Sequence, residues 1–219
     1  MVIPRQYDGV RFNIEAQKGR SAMISSPFDT LPTTEERPRR RSERALSTDA
    51  ALEIIRCSNC AVLSTADAAG VPYGVPVTPV LVGNSLYFHS TGLPGGRKAD
   101  NMLANNKVSL CFIGKSFVIP EFYSVDFASV VVAGVAVEVR DEAEKMQAMQ
   151  SLIARYAPGN SAERNAVQFA NRYALVSVWR VDIESITGKA RGASLWQGSQ
   201  SLKEVQALEP QTWLQGVPL

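Results

Sequence analysis

The run from Ser129 to Val139 constrains the fold of this chain more than any other segment, because six of its eleven residues are valine. β-Branched side chains fit the pleated surface of a sheet better than a helix, so the run predicts a long strand. Gly134 interrupts it, and a glycine inside a strand marks a bulge or a tight bend. The segment therefore predicts a strongly bent strand, as found in small barrels.

Shorter strand patterns lie on both sides of this run. Gly83-Asn84 predicts a tight two-residue hairpin. Pro76 and Pro79 predict an edge or a bulge, because proline cannot donate a sheet hydrogen bond. Besides Ser129–Val139, the predicted strands cover 61–65, 74–82, 85–89, 108–113 and 174–186. About six strands joined mainly by hairpins predict an antiparallel β-barrel with flanking helices.

Helical patterns occur at four places between and before these strands. Ser47 or Thr48 can cap a helix over 49–57, where an apolar stripe follows the cap. Two shorter helices are predicted over 98–105 and 161–170. A longer one is predicted over 141–156, and its expected buried face comprises Met146, Met149, Leu152, Ile153 and Tyr156.

Three regions are predicted along the chain. Residues 1–45 form an irregular arm rich in polar residues and prolines, 46–191 form the barrel domain, and 192–219 form a tail. We expect Trp196 and Trp213 to anchor that tail on the barrel or on a partner subunit. The arginine run at 37–44 is either solvated or in contact with an acidic surface or a ligand phosphate.

Charge and hydropathy narrow the class of protein. The net charge is only +2 and the basic residues cluster mainly at 37–44, so nucleic-acid binding is not favoured. The sequence has no apolar run of transmembrane length and does not begin like a signal peptide. With three cysteines, too few for a disulfide framework, we expect a soluble, cytoplasmic protein.

Cys57 and Cys60 have the CxxC spacing of a redox pair or of half a zinc site. The sequence supplies no second ligand pair, and Cys111 lies in an apolar strand pattern. We therefore expect buried packing thiols and no metal site.

The segment from His89 to Lys98 combines hydroxyl groups, a glycine-rich loop and two cations ahead of a predicted helix. Glycines let backbone amides approach phosphate oxygens, the helix dipole favours an anion, and Arg97 or Lys98 supplies charge. The segment predicts a phosphate site, although a polar hairpin loop with surface cations has the same composition.

An ordered series of segments resembles the pyridoxamine 5′-phosphate oxidase-like family, and within it the 5-nitroimidazole resistance (NimA-like) branch. The segments are Ala61–Asp67, Gly70–Val77, Leu86–Ser90, Lys98–Asn101, Asn105–Val108, Ser129–Ala136 and Ile186–Ala190. The likeness spans about residues 40–191. It implies a mainly β (α+β) fold, a six-stranded antiparallel split β-barrel with flanking helices.

The resemblance also implies a homodimer that binds flavin mononucleotide (FMN) between its subunits. Its phosphate would be held by Lys98 with help from Ser90, Thr91 and Arg97. The strand Val75-Pro76-Val77 would line the flavin ring through backbone contacts. Asn101 would either support the phosphate loop or cap local backbone.

His89 lies where the NimA-like branch has a histidine beside the flavin, which makes it the candidate catalytic proton donor. The alternative is a polar strand-end residue that contacts FMN without chemistry. The segment Lys115–Asp126 is predicted to be a loop, either covering a pocket mouth or serving as an inert connection. Phe127 and Ala128 stand where the branch commonly has a tyrosine. The substrate of the branch is therefore a weaker guide to the substrate of this chain.

The implied function is that of an FMN-dependent oxidoreductase that reduces a small organic compound, in its sharpest form a nitro compound. The alternative is a flavin- or haem-binding split-barrel protein without turnover. A regulatory protein that meets nucleic acid through its basic arm is a third hypothesis, resting on Arg37 to Arg44 alone.

Overall fold

The computed structural model of the chain describes residues 41–92 and 96–191. The predicted tail with Trp196 and Trp213, and nearly all of the predicted arm, lie outside the described residues. Within them the strands are β1 (Ala61–Ala66), β2 (Pro72–Val77), β3 (Val80–Val82), β4 (Ser85–Thr91), β5 (Lys107–Ile119), β6 (Ser124–Glu138) and β7 (Val176–Arg191). The helices are α1 (Thr48–Cys57), α2 (Arg97–Ala104), α3 (Glu142–Tyr156) and α4 (Ala162–Arg172).

The seven strands form one antiparallel sheet in the order β2-β1-β5-β6-β7-β4-β3. β2 and β3 lie at opposite edges, yet only Thr78 and Pro79 join them. Three residue steps span at most about 11 Å, so the two edges must lie close together. The sheet therefore curls around its core, and the predicted antiparallel split barrel with flanking helices is confirmed.

The predicted strand over 74–82 is in fact two strands, which makes seven instead of about six. The break falls at Thr78-Pro79, where the chain leaves one edge of the sheet for the other. Pro79 suits this position because it has no N–H to contribute to either ladder. Pro76 lies on edge strand β2, as its residue type predicts.

The predicted loop Lys115–Asp126 is wrong. β5 continues to Ile119 and β6 begins at Ser124, with a single 3₁₀ turn at Pro120–Phe122 between them. Val118 pairs with Val125, so the backbone remains hydrogen-bonded almost to the turn. A bulge at Gly114, between Ile113 and Lys115, shifts the register before this extension.

Of the two irregularities predicted at Gly134, a bulge or a bend, the structure shows the bulge. The register of β6 against β7 shifts between Ala133 and Gly134. A Cβ on Gly134 would overlap the carbonyl oxygen of Asp182 on β7. Only glycine permits this close approach of the two backbones.

The core lies inside the curled sheet, because alternate residues of each strand point inward. Its largest fully buried side chains include Leu63, Leu86, Phe88, Met102, Leu110, Phe112, Val130, Val132 and Trp179. Helix α1 packs Ala51, Leu52, Ile54 and Ile55 against this cluster. As predicted, Ser47 caps α1: its Oγ accepts a hydrogen bond from the Ala50 amide at 3.3 Å.

Helix α3 packs against β3 and β4 with most of the predicted face, since Leu152 is buried and Met149 packs on the core, while Ala148 replaces Met146 in it. Its buried residues are Ala148 and Leu152, whereas Met146 is 37% exposed. Two hydrogen bonds fix its carboxyl end: Arg155 Nη2 donates to Ser58 O at 2.5 Å, and Tyr156 Oη donates to Pro79 O at 2.6 Å. The second bond ties α3 to the link between β2 and β3.

Candidate functional site

The carboxyl end of β4 carries three of the predicted site residues on two opposite faces. Ser90 points into the barrel with Phe88 and is 5% exposed, and its Oγ accepts a hydrogen bond from Trp179 Nε1 at 3.2 Å. His89 and Thr91 alternate with Ser90 and are exposed on the outer face. The side chain of Ser90 therefore supports the strand from inside, while those of His89 and Thr91 are available outside.

After β4 the chain turns toward helix α2. The Gly92 amide donates to Leu175 O at 2.9 Å, and a Cβ at this position would lie 3.3 Å from the backbone at the start of β7. Residues 93–95 are outside the described part, and α2 then begins with Gly96 at its N-cap. The amides of Ala99 and Asp100 bond back to Gly96 O.

This helix start is suited to an anion. The first amides of a helix have no partner within the helix, and the helix dipole places partial positive charge there. Here those amides belong to Arg97 and Lys98, whose side chains add two full positive charges. The backbone amides and side chains of two residues predicted to bind a phosphate, Arg97 and Lys98, thus lie together at one helix start.

Lys98 lies close enough to His89 to affect its titration. Partial burial of the imidazole, and secondarily the positive charge of Lys98, hold the pKa of His89 below its ordinary value of 6.5. Although His89 is exposed as a whole, the surrounding chain still removes part of its ring from water. An anion bound at Lys98 would offset the second cause and return the pKa toward 6.5.

Arg97 is positioned by an aromatic ring. Its guanidinium carbon lies 4.7 Å from the centroid of the Tyr73 ring on β2, a cation–π geometry. Tyr73 thereby links the start of α2 to the same edge strand that carries the predicted flavin-facing residues. Sequence reasoning did not assign Tyr73, although it lies within the segment Gly70–Val77 that carries the resemblance.

Asn101 holds α2 on the barrel through a buried chain of hydrogen bonds. Its Nδ2 donates to Thr65 Oγ1 at 3.0 Å, and Thr65 Oγ1 donates to Tyr73 O at 3.2 Å. Asn101 and Thr65 are 4% and 3% exposed. The side chain therefore does not cap local backbone; it supports the helix that bears Arg97 and Lys98. Thr65 and Trp179 are supporting residues that the sequence did not single out.

The strand Val75-Pro76-Val77 forms part of β2. Val77 is buried, Val75 is partly buried against the core and Pro76 is exposed on the outside. β2 is an edge strand, so one row of its backbone groups has no strand partner among the described residues. That row can contact a ligand through its backbone.

Tyr87 faces outward two residues before His89. Its Oη donates to Glu144 Oε1 on α3 at 2.9 Å, and Arg180 Nη1 donates to the same oxygen at 2.8 Å. Burial, followed by the bond and charge of Glu144, raises the pKa of Tyr87 to about 12. Tyr87 therefore stays protonated at neutral pH, and His89 is the titrating group at this end of β4.

The comparison with protein families identifies the chain. Residues 47–190 match the family described as pyridoxamine 5′-phosphate oxidase, which is more than half of the 219 residues. The chain belongs to the pyridoxamine 5′-phosphate oxidase family. No curated protein sequence matches it significantly.

Solved structures share the fold of this family member. A protein of Bacteroides thetaiotaomicron described as a 5-nitroimidazole antibiotic resistance protein is 23% identical, with a TM-score of 0.55, over 66% of this chain and 85% of that one. A FAD-binding protein of Mesorhizobium loti is 23% identical, with a TM-score of 0.52, over 68% and 98%. A FAD- and haem-binding protein of Mycobacterium smegmatis is 16% identical, with a TM-score of 0.52, over 67% and 72%. At these identities the likeness shows the fold.

Two surface grooves in this pyridoxamine 5′-phosphate oxidase family member lie away from His89. One, of about 670 Å³, lies between α3 and α4 and is lined by residues such as Met146, Ile153 and Phe169. The other, of about 650 Å³, lies between the end of α2 and the end of β6, next to Trp179. Neither of these two grooves includes Arg97 or Lys98.

The expectation of buried packing thiols is wrong for the CxxC pair. Cys57 and Cys60 are free and exposed, and Cys111 is intermediate. The Cys57 thiol donates to Glu53 Oε1 at 3.5 Å, and burial together with that carboxylate raises its pKa. The cysteines are exposed because they lie at the open end of α1 and just before β1, outside the face that α1 packs on the barrel.

Two further findings concern the described residues. No group of three or more histidine, cysteine, aspartate or glutamate side chains there is arranged to hold a metal ion. Of the helices that the structure describes, none combines the length and the apolar character needed to cross a membrane.

Proposed function

We propose that the chain is an FMN-dependent oxidoreductase that reduces a small electron-accepting organic compound, such as a nitro compound, and that it acts as a homodimer. The observation that carries the proposal is the cationic start of α2 beside His89, in a chain that belongs to the pyridoxamine 5′-phosphate oxidase family. The family supplies the cofactor hypothesis, and the geometry supplies residues that suit it.

The residues fit the phosphate group of FMN. Lys98 and Arg97 provide charge and the first amides of α2 provide donors, all at one helix start. Thr91 offers a hydroxyl on the outer face, whereas the Ser90 hydroxyl is bound to Trp179 inside, which leaves Ser90 a supporting role. Asn101 keeps this helix in place through Thr65.

FMN, when bound, accepts and delivers a hydride, and the protein must supply binding, orientation and a proton. His89 is the group at this end of β4 that can hold a proton near neutral pH. Its lowered pKa makes it a stronger acid but leaves it less often protonated at pH 7. Turnover that depends on its proton therefore rises as the pH falls toward the pKa of His89.

The proposed dimer covers an apolar row on the outside of the barrel. Pro76, Val62, Cys111 and Val131 are register neighbours on β2, β1, β5 and β6. Val62 and Val131 are 38% and 40% exposed although both lie on strands that are paired on both sides. Contact between two such rows would bury them and would supply the second wall of each cofactor site.

Cofactor content tests the binding claim. The purified protein, reconstituted with FMN and desalted, is expected to be yellow, with one flavin per chain. Lys98→Ala should weaken FMN binding by about one to two orders of magnitude, because a charge-assisted hydrogen bond contributes roughly 1.5–3 kcal/mol. Lys107→Ala is the control, since Lys107 pairs with Glu184 elsewhere on the surface. A colourless protein that takes up no FMN contradicts the proposal.

Steady-state kinetics test catalysis. With NADH or NADPH as donor and a 5-nitroimidazole as acceptor, His89→Ala should lower kcat about 10²-fold or more while FMN stays bound. The unmutated protein should turn over faster at pH 6 than at pH 8, and the variant should lose this dependence. Equal turnover of both proteins across this pH range would remove the proton-donor role.

A second candidate is haem binding without turnover. It is favoured by the structural likeness to the protein of Mycobacterium smegmatis that binds FAD and haem. His89 is the only histidine in the chain and so the only imidazole that could ligate haem iron. Titration with haemin distinguishes the two, because haem ligation would give a Soret shift that His89→Ala abolishes.

A further inference from the structure

The β5–β6 hairpin extends beyond the barrel. β1 pairs with β5 only as far as Phe112, and β7 pairs with β6 only as far as Phe127. Residues 116–126, which we call the ribbon, therefore have no flanking strand among the described residues. A two-stranded hairpin standing alone is marginally stable in water. The described residues leave both edges of the ribbon open.

The outward face of the ribbon carries the valine pair Val118 and Val125 beside Ser116, and two aromatic residues lie at its tip. Val118 and Val125 form a register pair and are 61% and 37% exposed. At the tip, Phe122 is 76% and Tyr123 is 99% exposed. Ile113, 60% exposed, continues this face toward Cys111 and Val131 in the row of the proposed dimer. A mainly apolar stripe, interrupted by Ser129 and Ser116, thus runs from that row to the aromatic tip.

The spacing along β6 relates the tip to the candidate site. Eight residues separate Val131 from Tyr123 in one direction, and eight separate it from Val139 in the other. The Val139 amide bonds to Val178 O, and Val178 is the register partner of His89. At about 3.3 Å per residue, measured along the curved strands, Tyr123 and His89 therefore lie some 26 Å on either side of the level of Val131.

We infer that the ribbon of each subunit reaches the candidate site of the other, where Tyr123 and Phe122 close the pocket over a flat aromatic acceptor. The inference rests on the proposed dimer and its cofactor. A two-fold axis at the level of Val131 and at right angles to the strands makes the strands of the two subunits run in opposite directions. Because Tyr123 and the level of His89 are equally far from Val131, the tip of one subunit then lies level with the site of the other. An axis along the strands would instead leave both tips far from either site.

The chemistry of the tip fits this role. Two adjacent aromatic rings offer flat apolar faces, and stacking on them favours a planar ring over an aliphatic compound. The cations of α2 then hold the cofactor on one side and the partner's rings cover the substrate on the other. Tyr123→Ala should lower kcat/KM for a 5-nitroimidazole about tenfold, the factor that corresponds to ~1.4 kcal/mol.

Mixed dimers test whether the tip acts on the partner. Lys98→Ala and Tyr123→Ala chains carrying different tags are co-expressed, and the mixed dimer is isolated through both tags. If the tip serves the partner, the intact site of the Tyr123→Ala chain receives the intact tip of the Lys98→Ala chain, giving about half the unmutated activity. If the tip serves its own subunit, the chain that keeps Lys98 lacks its own tyrosine. Its tenfold lower activity, from one site of two, gives about one twentieth of the unmutated activity. Val167→Ala, an exposed position on α4, replaces Tyr123→Ala as control.

A second measurement does not depend on activity. Tyr123→Cys is labelled with a dye whose emission overlaps flavin absorption, in a Cys57→Ser, Cys60→Ser, Cys111→Ala background. Within one subunit, sixteen residue levels separate the label from the site, about 53 Å along the strands. FMN should therefore quench the dye strongly only if the tip lies at the partner's site.

The outcomes separate this inference from the proposed function. A yellow dimer with a strongly quenched label and a restored mixed dimer supports both. A yellow dimer in which the label stays bright and the mixed dimer stays inactive overturns the position of the ribbon and leaves FMN binding intact. A colourless or monomeric protein overturns the proposed function, and the inference with it.

Discussion

The titration of His89 can be followed directly, because it is the only histidine in the chain. Its imidazole resonance should give a pKa below 6.5 by NMR, since burial and Lys98 both disfavour the charged ring. Lys98→Met should move that pKa upward by removing the like charge. Lys107→Met, whose ammonium pairs with Glu184, should leave it unchanged.

The same shift makes stability depend on pH. Because the folded-state pKa of His89 is lowered, the unfolded chain takes up this proton more readily. The free energy of unfolding therefore gains a contribution as the pH rises through 6.5 and loses it as the pH falls below 6.5. A His89 pKa above 6.5 in the folded protein would contradict both expectations.

At the scale of single residues, sequence patterns and the resemblance name the side chains but not the side of the sheet on which each acts. Ser90 and His89 are adjacent in sequence, yet one bonds to Trp179 in the core and the other faces outward. Asn101 had two open interpretations, and its bond to Thr65 decides between them. Such partners come from distant strands, so no local pattern reveals them.

The bulge between β6 and β7, whose extra residue is Glu184 on β7, can be tested at the scale of the strand. Gly134→Ala places a methyl group on the carbonyl of Asp182, and the backbones of β6 and β7 must separate to admit it. We expect the free energy of unfolding to fall by about 1–3 kcal/mol, as for other overpacked sites. Urea denaturation measures the change.

Gly159→Ala is the matched control for this substitution. No atom lies within 4 Å of a Cβ built there, so the change should stay within about 0.5 kcal/mol. Equal stability of the Gly134→Ala and Gly159→Ala proteins would show that the bulge does not need glycine.

Helices and most strands were predictable as elements because each has a period or a cap of its own. Ser47 and Asp141 both cap helices that begin at the next residue. The extension of β5 and β6 was not predictable, because a pattern broken by Gly114 and Pro120 has the composition of a loop. Pairing of one extension with the other, as between Val118 and Val125, makes it a ribbon.

At the scale of the whole molecule, the substitution Val131→Lys tests the proposed dimer interface. Val131 is 40% exposed in the described chain, so a lysine there is compatible with the folded subunit. In a dimer centred on this row, two lysines would face each other without water, which should halve the mass measured by light scattering. FMN should be lost with the second wall of the site.

Val167→Lys on α4 is the control for charge, and circular dichroism verifies that both variants fold. A Val131→Lys protein that stays dimeric would place the interface elsewhere. Since Val167 is 57% exposed and lies outside the outer row of the sheet, its substitution should change neither mass nor flavin content.

The sequence by itself determined the class of fold, because valine-rich runs, turn residues and helix caps act over a few neighbouring residues. It also brought Arg97 and Lys98 together, since they are adjacent on one helix start. Tertiary structure decided that β2 and β3 form the two opposite edges of one sheet. It also decided that the Ser90 side chain points inward and that Tyr123 lies beyond the barrel. These features depend on pairing between residues far apart in sequence, and that pairing is fixed only when the sheet curls around its core.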